Sequence, residues 1–225
     1  MTTDRFDLST ATAHRAWDAR WQDARDRAEW SIAEPDVREV AASLLPARGV
    51  RRVLDLGCGV GRHLLLLARA GFHASGIDGA PAGLAVCRET ASAEGLDVDL
   101  REGLMTELPY ADASFDYVLA FNVIYHGEPG VVRRAVAEIH RVLAPGGLYQ
   151  GTMLSKRNAN FGLGKEVAPD TFVLAGESDK AHPHFYCDAR ELTDLFADFE
   201  PLRLEDRLHT KPGSWHWHLL AERRP

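Results

Sequence analysis

The 225-residue chain has few cysteines and no long hydrophobic run. Its three cysteines, Cys58, Cys87 and Cys187, form no close pair, which favours a reduced cytoplasmic protein over a disulfide framework. No stretch approaches the length of a membrane span and the amino terminus is polar, so we expect neither a membrane segment nor a signal peptide.

The chain also lacks an excess of positive charge. With 26 Lys and Arg against 33 Asp and Glu, its formal net charge is −7. This balance argues against a broad nucleic-acid surface, and we expect no nucleic-acid partner. A hydrophobic content of 45% is ordinary for a globular protein, and the length suits one domain with a full core. Residues 1–225 are therefore predicted to form a single domain.

The most informative segment is a glycine-rich run at residues 53–61. An apolar stretch there is followed by Gly57, Gly59 and Gly61 and then by leucines at helical spacing. Strand, glycine turn and helix is the arrangement by which open α/β sheets bind nucleotide-like ligands. No Gly-Lys-Ser/Thr follows, which excludes a P-loop. Asp55, just before the turn, would repel a phosphate and suits a ligand that carries an ammonium group.

A second acidic residue follows at the spacing expected of a ribose-binding carboxylate. Residues 73–78 read as a short strand that ends in Asp78, about 20 residues after the glycine turn. Its carboxylate could accept hydrogen bonds from both ribose hydroxyls. The alternatives are a helix-capping role for Asp78 and a turn built for some other nucleotide.

Together these motifs resemble the class I methyltransferases that depend on S-adenosylmethionine (SAM). Further likeness lies at residues 102–109, 114–122 and 138–149, and strands alternate with helices over residues 51–154. The resemblance implies a Rossmann-like α/β fold with a mostly parallel seven-stranded sheet, helices on both faces and an antiparallel last strand. It also implies SAM as cofactor and S-adenosylhomocysteine as product.

The same resemblance predicts which residues bind the cofactor. Asp55 is expected near the methionine ammonium and Asp78 at the ribose. Leu104 stands where relatives often have an acidic residue that reads adenine, so Met105 is expected to cover that base, unless it is plain core. The full predicted set is Asp55, Gly57, Gly59, Gly61, Asp78, Gly79, Met105, Phe121 and Asn122.

Catalytic candidates lie after the fourth predicted strand. His126 is the best candidate for a general base, because of its position and because histidine titrates near neutral pH. Tyr125 beside it could hydrogen-bond the acceptor. The alternative for His126 is a structural histidine that bonds the backbone of a neighbouring loop.

Two flanking regions are predicted to shape the acceptor pocket. Residues 1–48 should form a helical cover; its tryptophans resemble the lead-in of thiopurine- and tellurite-type methyltransferases, and Trp30 is a candidate substrate contact. Residues 155–187 show no clear periodicity and are predicted to be a lid-like insert. Lys156 and Arg157 there could hold an anionic acceptor group, or they could belong to a solvated loop.

Four of the ten histidines form two pairs with one residue between the members, His182 with His184 and His216 with His218. In a strand, such spacing places both members of a pair on one face. With His126 and Cys187 these side chains could form a metal or metalloid site. Because the spacings match no standard zinc pattern, we predict no metal and assign His184 and His216 to substrate contact.

The sequence therefore predicts a SAM-dependent methyltransferase that acts on a small-molecule acceptor by in-line displacement. Two alternatives stay open at this point. One is a SAM-binding sensor or scaffold without methyl transfer, and the other is a methyltransferase that acts on a macromolecule.

Overall fold

A computed structural model describes residues 12–175, 181–209 and 211–224. Its centre is a parallel sheet in the order β3-β2-β1-β4-β5. The five strands are β1 (Arg52–Leu56), β2 (His73–Asp78), β3 (Val98–Glu102), β4 (Phe115–Ala120) and β5 (Leu143–Ser155). The strand order reverses between β1 and β4, which is where open α/β sheets bind ligands.

Helices provide three of the four connections between these parallel strands. They are α5 (Arg62–Arg69) after β1, α6 (Pro81–Ala93) after β2 and α7 (Pro129–Val142) after β4. Proline occupies the first turn of α6 and of α7, where its missing N–H costs nothing. Apolar clusters fill both faces of the sheet, one including residues of α7 and the other residues of α5 and α6.

The carboxyl-terminal strands complete the predicted sheet. β10 (Trp215–Arg223) runs antiparallel to β5 on one side and to β9 (Phe199–Leu208) on the other. Before them, α8 (Ala189–Leu195) begins at a capping box in which the Asp188 and Glu191 side chains accept each other's backbone N–H. The predicted Rossmann-like fold with an antiparallel last strand is confirmed.

The insert at residues 155–187 was predicted to be irregular, but part of it forms strands. It contributes three further strands, β6 (Lys165–Ala168), β7 (Thr171–Val173) and β8 (His184–Cys187). These strands are too short to show a period of two in the sequence. At Leu154, β10 pairs with one edge of β5 and β8 pairs with the other. β4 pairs with earlier residues of β5 on that second edge, so β8 follows β4 along it. Residues 176–180 of the predicted lid lie outside the described residues.

The described part of the amino-terminal cover consists of four short helices rather than long ones. It consists of α1 (Ala13–Trp21), α2 (Ala24–Glu29), α3 (Pro35–Ala42) and α4 (Leu44–Ala47). Asp23 starts a new helix because its side chain accepts the Arg25 N–H. Pro46 lacks an N–H, so the helical hydrogen bonds of α3 cannot continue without a break into α4. Residues 1–11 of this cover lie outside the described part of the chain. No helix within that part is both long and apolar enough to cross a membrane.

Candidate active site

The glycine turn after β1 forms one wall of a cleft at the carboxyl ends of the strands. Gly57, Gly59 and Gly61 all have positive φ, a region that side chains rarely adopt. A Cβ on Gly57 would lie 2.5 Å from a methyl carbon of Val123, and one on Gly59 would lie 2.9 Å from the Trp21 ring. The absence of side chains therefore lets the turn approach both the cleft wall and the helical cover.

The cleft encloses about 910 Å³ including its open mouth. Nine of the predicted cofactor, catalytic and substrate residues line it: Trp30, Gly57, Gly59, Asp78, Gly79, Met105, Phe121, Asn122 and His126. The other predicted residues do not contribute to its lining: Asp55, Gly61, Tyr125, Lys156, Arg157, His184 and His216.

Asp78 is held by backbone groups at the end of β2. Its two carboxylate oxygens accept the N–H groups of Gly59 at 2.7 Å and of Ala80 at 2.8 Å. Burial raises the pKa of Asp78 to about 6, although these two hydrogen bonds favour the charged form. The carboxyl is thus fixed in the cleft wall, and its predicted contact with a ribose stays a prediction.

Asp55 lies behind the glycine turn, with only 2% of its surface exposed. Its Oδ2 has no hydrogen-bond partner within the described residues. Burial raises the pKa of Asp55 to about 7, against the effect of the nearby Arg62 charge. An unsatisfied buried carboxylate fits a site that receives a cationic ligand close by. Its predicted contact with an ammonium group stays a prediction.

Arg62 is a cleft residue that the sequence reasoning missed. Its guanidinium pairs with Glu34 at 3.1 Å and lies 4.8 Å from the centre of the Trp30 ring. Burial lowers the pKa of Arg62, and the Glu34 carboxylate opposes that shift. The available signal was its place as the first residue of α5, directly after the glycine turn. Arg62 brings a positive charge to a cleft that is also lined by the Asp78 carboxyl.

The tryptophans of the cover divide into two roles. Trp21 is buried and docks against Gly59 and Gly83, as a packing residue would. Trp17 stacks on Trp21 and meets Trp30 edge-on, with 5.2 Å between ring centres in each pair. All three line the cleft. The cover therefore presents an aromatic surface to any bound ligand, and such a surface attracts cations.

Asn122 shapes the end of β4 through an unusual backbone conformation. Its φ is +62°, in the left-handed region that asparagine tolerates better than most residues. Thr152 on β5 holds it in place: the Asn122 N–H donates to Oγ1 at 2.8 Å, and the hydroxyl donates to Oδ1 at 2.9 Å. The Asn122 side-chain nitrogen lies 3.3 Å from Nε2 of His209. This strained corner turns the following residues towards the cleft.

His126 stands in the cleft wall, and the corner at Asn122 fixes its ring. Nε2 lies 3.1 Å from the Asn122 carbonyl oxygen, and Nδ1 lies 2.9 Å from Nε2 of His182. A carbonyl only accepts, so His126 carries its hydrogen on Nε2, and Nδ1 accepts from His182. The alternative of a backbone-bonded histidine thus holds for one nitrogen, while the other nitrogen keeps a lone pair.

Tyr125 lies behind His126. Its ring centre is 6.1 Å from that of His184 and 5.9 Å from that of His216, and only 5% of its surface is exposed. Its carbonyl accepts the Phe185 N–H at 2.9 Å, which ties β8 of the insert to the segment after β4. That tie places His184 next to His126, with ring centres 4.7 Å apart. The predicted roles of Tyr125, His184 and His216 in binding the acceptor stay predictions.

Lys156 and Arg157 are occupied elsewhere. Lys156 pairs with Asp170 at 2.9 Å and with Glu191 at 2.8 Å. Arg157 stacks on the Trp215 ring at 3.4 Å and keeps 59% of its side-chain surface exposed. Both side chains brace the insert against its neighbours and neither borders the cleft. An anion-binding role for them is not supported by this placement.

Known proteins resemble the chain in sequence and in fold. The family model described as "Methyltransferase domain" matches residues 53–147. A ubiquinone biosynthesis O-methyltransferase of Cereibacter sphaeroides is 30% identical over 84% of this chain and 74% of its own length. One of Azorhizobium caulinodans is 36% identical over 55% of this chain, which spans 47% of that relative. The structure of Burkholderia thailandensis 1,6-didemethyltoxoflavin-N1-methyltransferase, with its substrate and S-adenosylhomocysteine bound, is 21% identical, with a TM-score of 0.69 over 100% of this chain and 93% of that one.

The cleft and these relatives lead to the same class. The chain belongs to the class I SAM-dependent methyltransferases, as its motifs predicted. SAM as cofactor is confirmed with it, and the site fits: the glycine turn leaves room, Asp78 faces the cleft, and Asp55 keeps an unsatisfied oxygen behind it.

Proposed function

We propose that this protein methylates a small molecule whose acceptor atom binds beside His126. The observation that carries the proposal is continuity: one cleft runs from the glycine turn and Asp78 to His126 at the end of β4. A cofactor held at one end therefore has its reactive group close to whatever binds at the other. SAM, when bound, supplies an electrophilic methyl group on a sulfonium sulfur.

A flat aromatic acceptor with an ionisable O–H or N–H suits this end of the cleft. Trp17, Trp30 and Phe121 offer ring faces and edges, and the His126 ring borders the same end. The relatives support this choice, because their names describe O-methylation in ubiquinone biosynthesis and N-methylation of a toxoflavin precursor. A net charge of −7 fits a small molecule better than a nucleic acid.

The residues of this chain have separate tasks in the proposed reaction. Asp78 and the glycine turn bind and orient, and the tryptophan cover excludes water from the cleft. The Asn122 carbonyl keeps the hydrogen of His126 on Nε2, so Nδ1 is the atom able to take a proton. In this structure the Nδ1 lone pair accepts a hydrogen bond from His182. His126 therefore acts as a base only after that hydrogen bond is broken.

The reaction can be tested by following S-adenosylhomocysteine release. A panel of phenols, catechols, azaheterocycles and thiols is incubated with SAM, and the best acceptor is used to compare wild type with His126→Ala. We expect the variant to lose about a hundredfold in turnover. Its SAM affinity by calorimetry should not change, because the lost group acts on the acceptor.

The matched control is His73→Ala, which removes an exposed histidine at the start of β2. It should keep both turnover and SAM affinity. Release of S-adenosylhomocysteine at the same rate from wild type and His126→Ala would remove His126 from the reaction. Binding of SAM without release for any acceptor would instead favour a sensor.

We also propose a cytoplasmic location. Cys58, Cys87 and Cys187 are all buried free thiols, which a reducing compartment preserves.

A further inference from the structure

Three buried histidines converge at the acceptor end of the cleft. His126 follows β4, whereas His182 and His184 come from the insert, and each offers a ring nitrogen within 4.8 Å of the others. Their exposed fractions are 6%, 4% and 1%. We propose that these side chains bind one divalent transition-metal ion of the zinc class, with an open coordination position towards the cleft. No metal was predicted from the sequence, because the spacings of these histidines match no standard zinc pattern.

The orientation of two of the rings is already that of metal ligands. His126 donates its Nε2 hydrogen to the Asn122 carbonyl at 3.1 Å, and His184 donates its Nδ1 hydrogen to the His182 carbonyl at 2.8 Å. Histidines that bind metals usually donate their second ring N–H to such an acceptor, which fixes the tautomer and the ring plane. The lone pairs are thereby placed on Nδ1 of His126 and Nε2 of His184.

The distance between His126 and His182 suits a metal as well as a hydrogen. Nδ1 of His126 and Nε2 of His182 lie 2.9 Å apart and share one hydrogen. Zinc–nitrogen bonds of about 2.0–2.1 Å in a tetrahedron place two ligand nitrogens about 3.4 Å apart. If the two nitrogens move apart by about 0.5 Å and the Nε2 hydrogen of His182 moves to its own Nδ1, both nitrogens can bind the ion. The hydrogen bond is then replaced by two ligand bonds without net proton release. The third nitrogen then closes in from no more than 4.8 Å.

The donor chemistry indicates the class of metal and the state of its fourth ligand. Imidazole nitrogens suit zinc, cobalt, nickel and copper, whereas magnesium and calcium require oxygen ligands. Three neutral imidazoles leave the full charge of a divalent ion in a buried site, so an anion is favoured in the open position. Because His126 lines the cleft, that position is available to a small ligand there.

This arrangement deepens the proposed function and rests on it for its second half. An acceptor O–H, N–H or S–H that coordinates the ion loses its proton to water more readily, since the ion lowers the pKa of a bound group. The anionic acceptor atom is then held beside the cofactor end of the cleft. The ion thus replaces His126 as the cause of deprotonation, and the three histidines become its ligands.

The metal site is tested with Co²⁺ as a spectroscopic probe on the full chain. Protein treated with a chelator and then freed of it is titrated with Co²⁺, and we expect one ion per chain with the strong visible absorption of tetrahedral cobalt. His182→Ala and His184→Ala should each weaken Co²⁺ binding at least about tenfold, since each loses one ligand. His73→Ala should match wild type. No absorption in wild type, or equal Co²⁺ affinity in all variants, would overturn the site.

Folding and the open position are checked on the same samples. Thermal melting without metal and the affinity for S-adenosylhomocysteine identify folded variants, and His182→Asn serves as a milder second substitution. Azide added to the Co²⁺ protein should shift the absorption band, and an unchanged band would overturn the open position. If Co²⁺ binds as expected but no acceptor yields S-adenosylhomocysteine, the metal site stands and the proposed function fails. If turnover survives complete metal removal, the catalytic role of the ion is overturned.

Discussion

The two ends of the cleft are built in opposite ways. The cofactor end comes from one stretch of chain, in which the glycine turn and Asp78 lie on adjacent parallel strands. The acceptor end is lined by the segment after β4, and residues of the insert and of the carboxyl-terminal region pack against that segment, so that His126, His184 and His209 meet although they are far apart in sequence. A binding site made by neighbouring elements is visible as a motif, whereas one made by distant elements is visible only as a list of unusual residues.

The two ends also differ in their electrostatics. At the cofactor end, burial raises the pKa of Asp55 to about 7 and that of Asp78 to about 6. Against Phe121 and Asn122 of the acceptor end pack His218 and His209. Burial lowers the pKa of His209, and it lowers that of His218 to about 4, so both are neutral at pH 7. The Asp78 carboxyl therefore lines the cofactor end of the cleft, whereas neutral imidazoles pack behind the residues of the acceptor end.

The largest expected effect breaks the cofactor end alone. In Gly57→Ala the new methyl carbon would lie 2.5 Å from a methyl of Val123 in the cleft wall, at a φ of +71°. We expect the affinity for S-adenosylhomocysteine to fall at least about a hundredfold, because the displaced wall adds to a backbone strain of about 1–2 kcal/mol. Calorimetry measures this loss.

Gly71→Ala is the matched control, since Gly71 has a φ of +87° with nothing within 4 Å of the new carbon. It carries the same kind of strain without touching the cleft, and its affinity should stay close to that of wild type. Equal losses in the two variants would show that strain, and not the shape of the cleft, controls binding.

A smaller effect is expected from pH, which should change ligand affinity at the cofactor end. Asp78 is charged above its pKa of about 6 and protonated below it, so its ability to accept two ribose hydroxyls is lost as pH falls. We expect the affinity for S-adenosylhomocysteine to decrease from pH 8 to pH 5. Asp78→Ala should weaken binding at least about tenfold at pH 8, the usual loss for a charge-assisted contact, and should flatten the profile.

Asp99→Ala is the control for that measurement, because Asp99 is an exposed carboxylate on β3 paired with Arg101. It should retain the wild-type pH dependence. A pH dependence that survives in Asp78→Ala would assign the titration to another group, with Asp55 and its pKa of about 7 the next to be replaced.

The smallest expected effect concerns the insert and sharpens the acceptor end. β8 pairs with β5, so its amides should resist hydrogen exchange as the sheet does. Residues 156–164 lie between β5 and β6 and should exchange faster in the free protein, then gain protection when S-adenosylhomocysteine and an acceptor bind. Protection of residues 156–164 equal to that of β5, and unaffected by ligands, would make this segment a static loop.

The sequence predicted the glycine turn and the strand that ends in Asp78 because backbone geometry there depends on local residues. Gly57 and Gly59 are required by positive φ, and Asp78 follows at the spacing set by one strand, one helix and the next strand. Asp55 shows the limit of this reasoning, since the motif indicated an acid but not that the acid lies behind the turn. Arg62 shows another limit, because Glu34 and Trp30, which hold it in the wall, come from the amino-terminal cover.

Charge and composition did not reveal which groups surround the cations of the insert. Lys156 and Arg157 looked like free cations in an irregular loop, but the partners that occupy them, such as Glu191 and Trp215, come from elements that follow the insert. The strands of the insert escaped prediction because segments of three or four residues carry almost no periodic signal.

The sequence by itself determined the glycine turn, the alternation of strand and helix, and the capping box at Asp188, since each depends on residues a few positions apart. Only the tertiary structure decided which histidines meet. β4 ends at Ala120, which leaves the rest of that edge of β5 free to pair with β8. The Phe185 N–H of β8 also donates to the Tyr125 carbonyl, and this brings His184 beside His126. Pairing between strands that distant in the chain is set by the open hydrogen-bonding edge of β5 and by packing, and neither is written in local residue spacing.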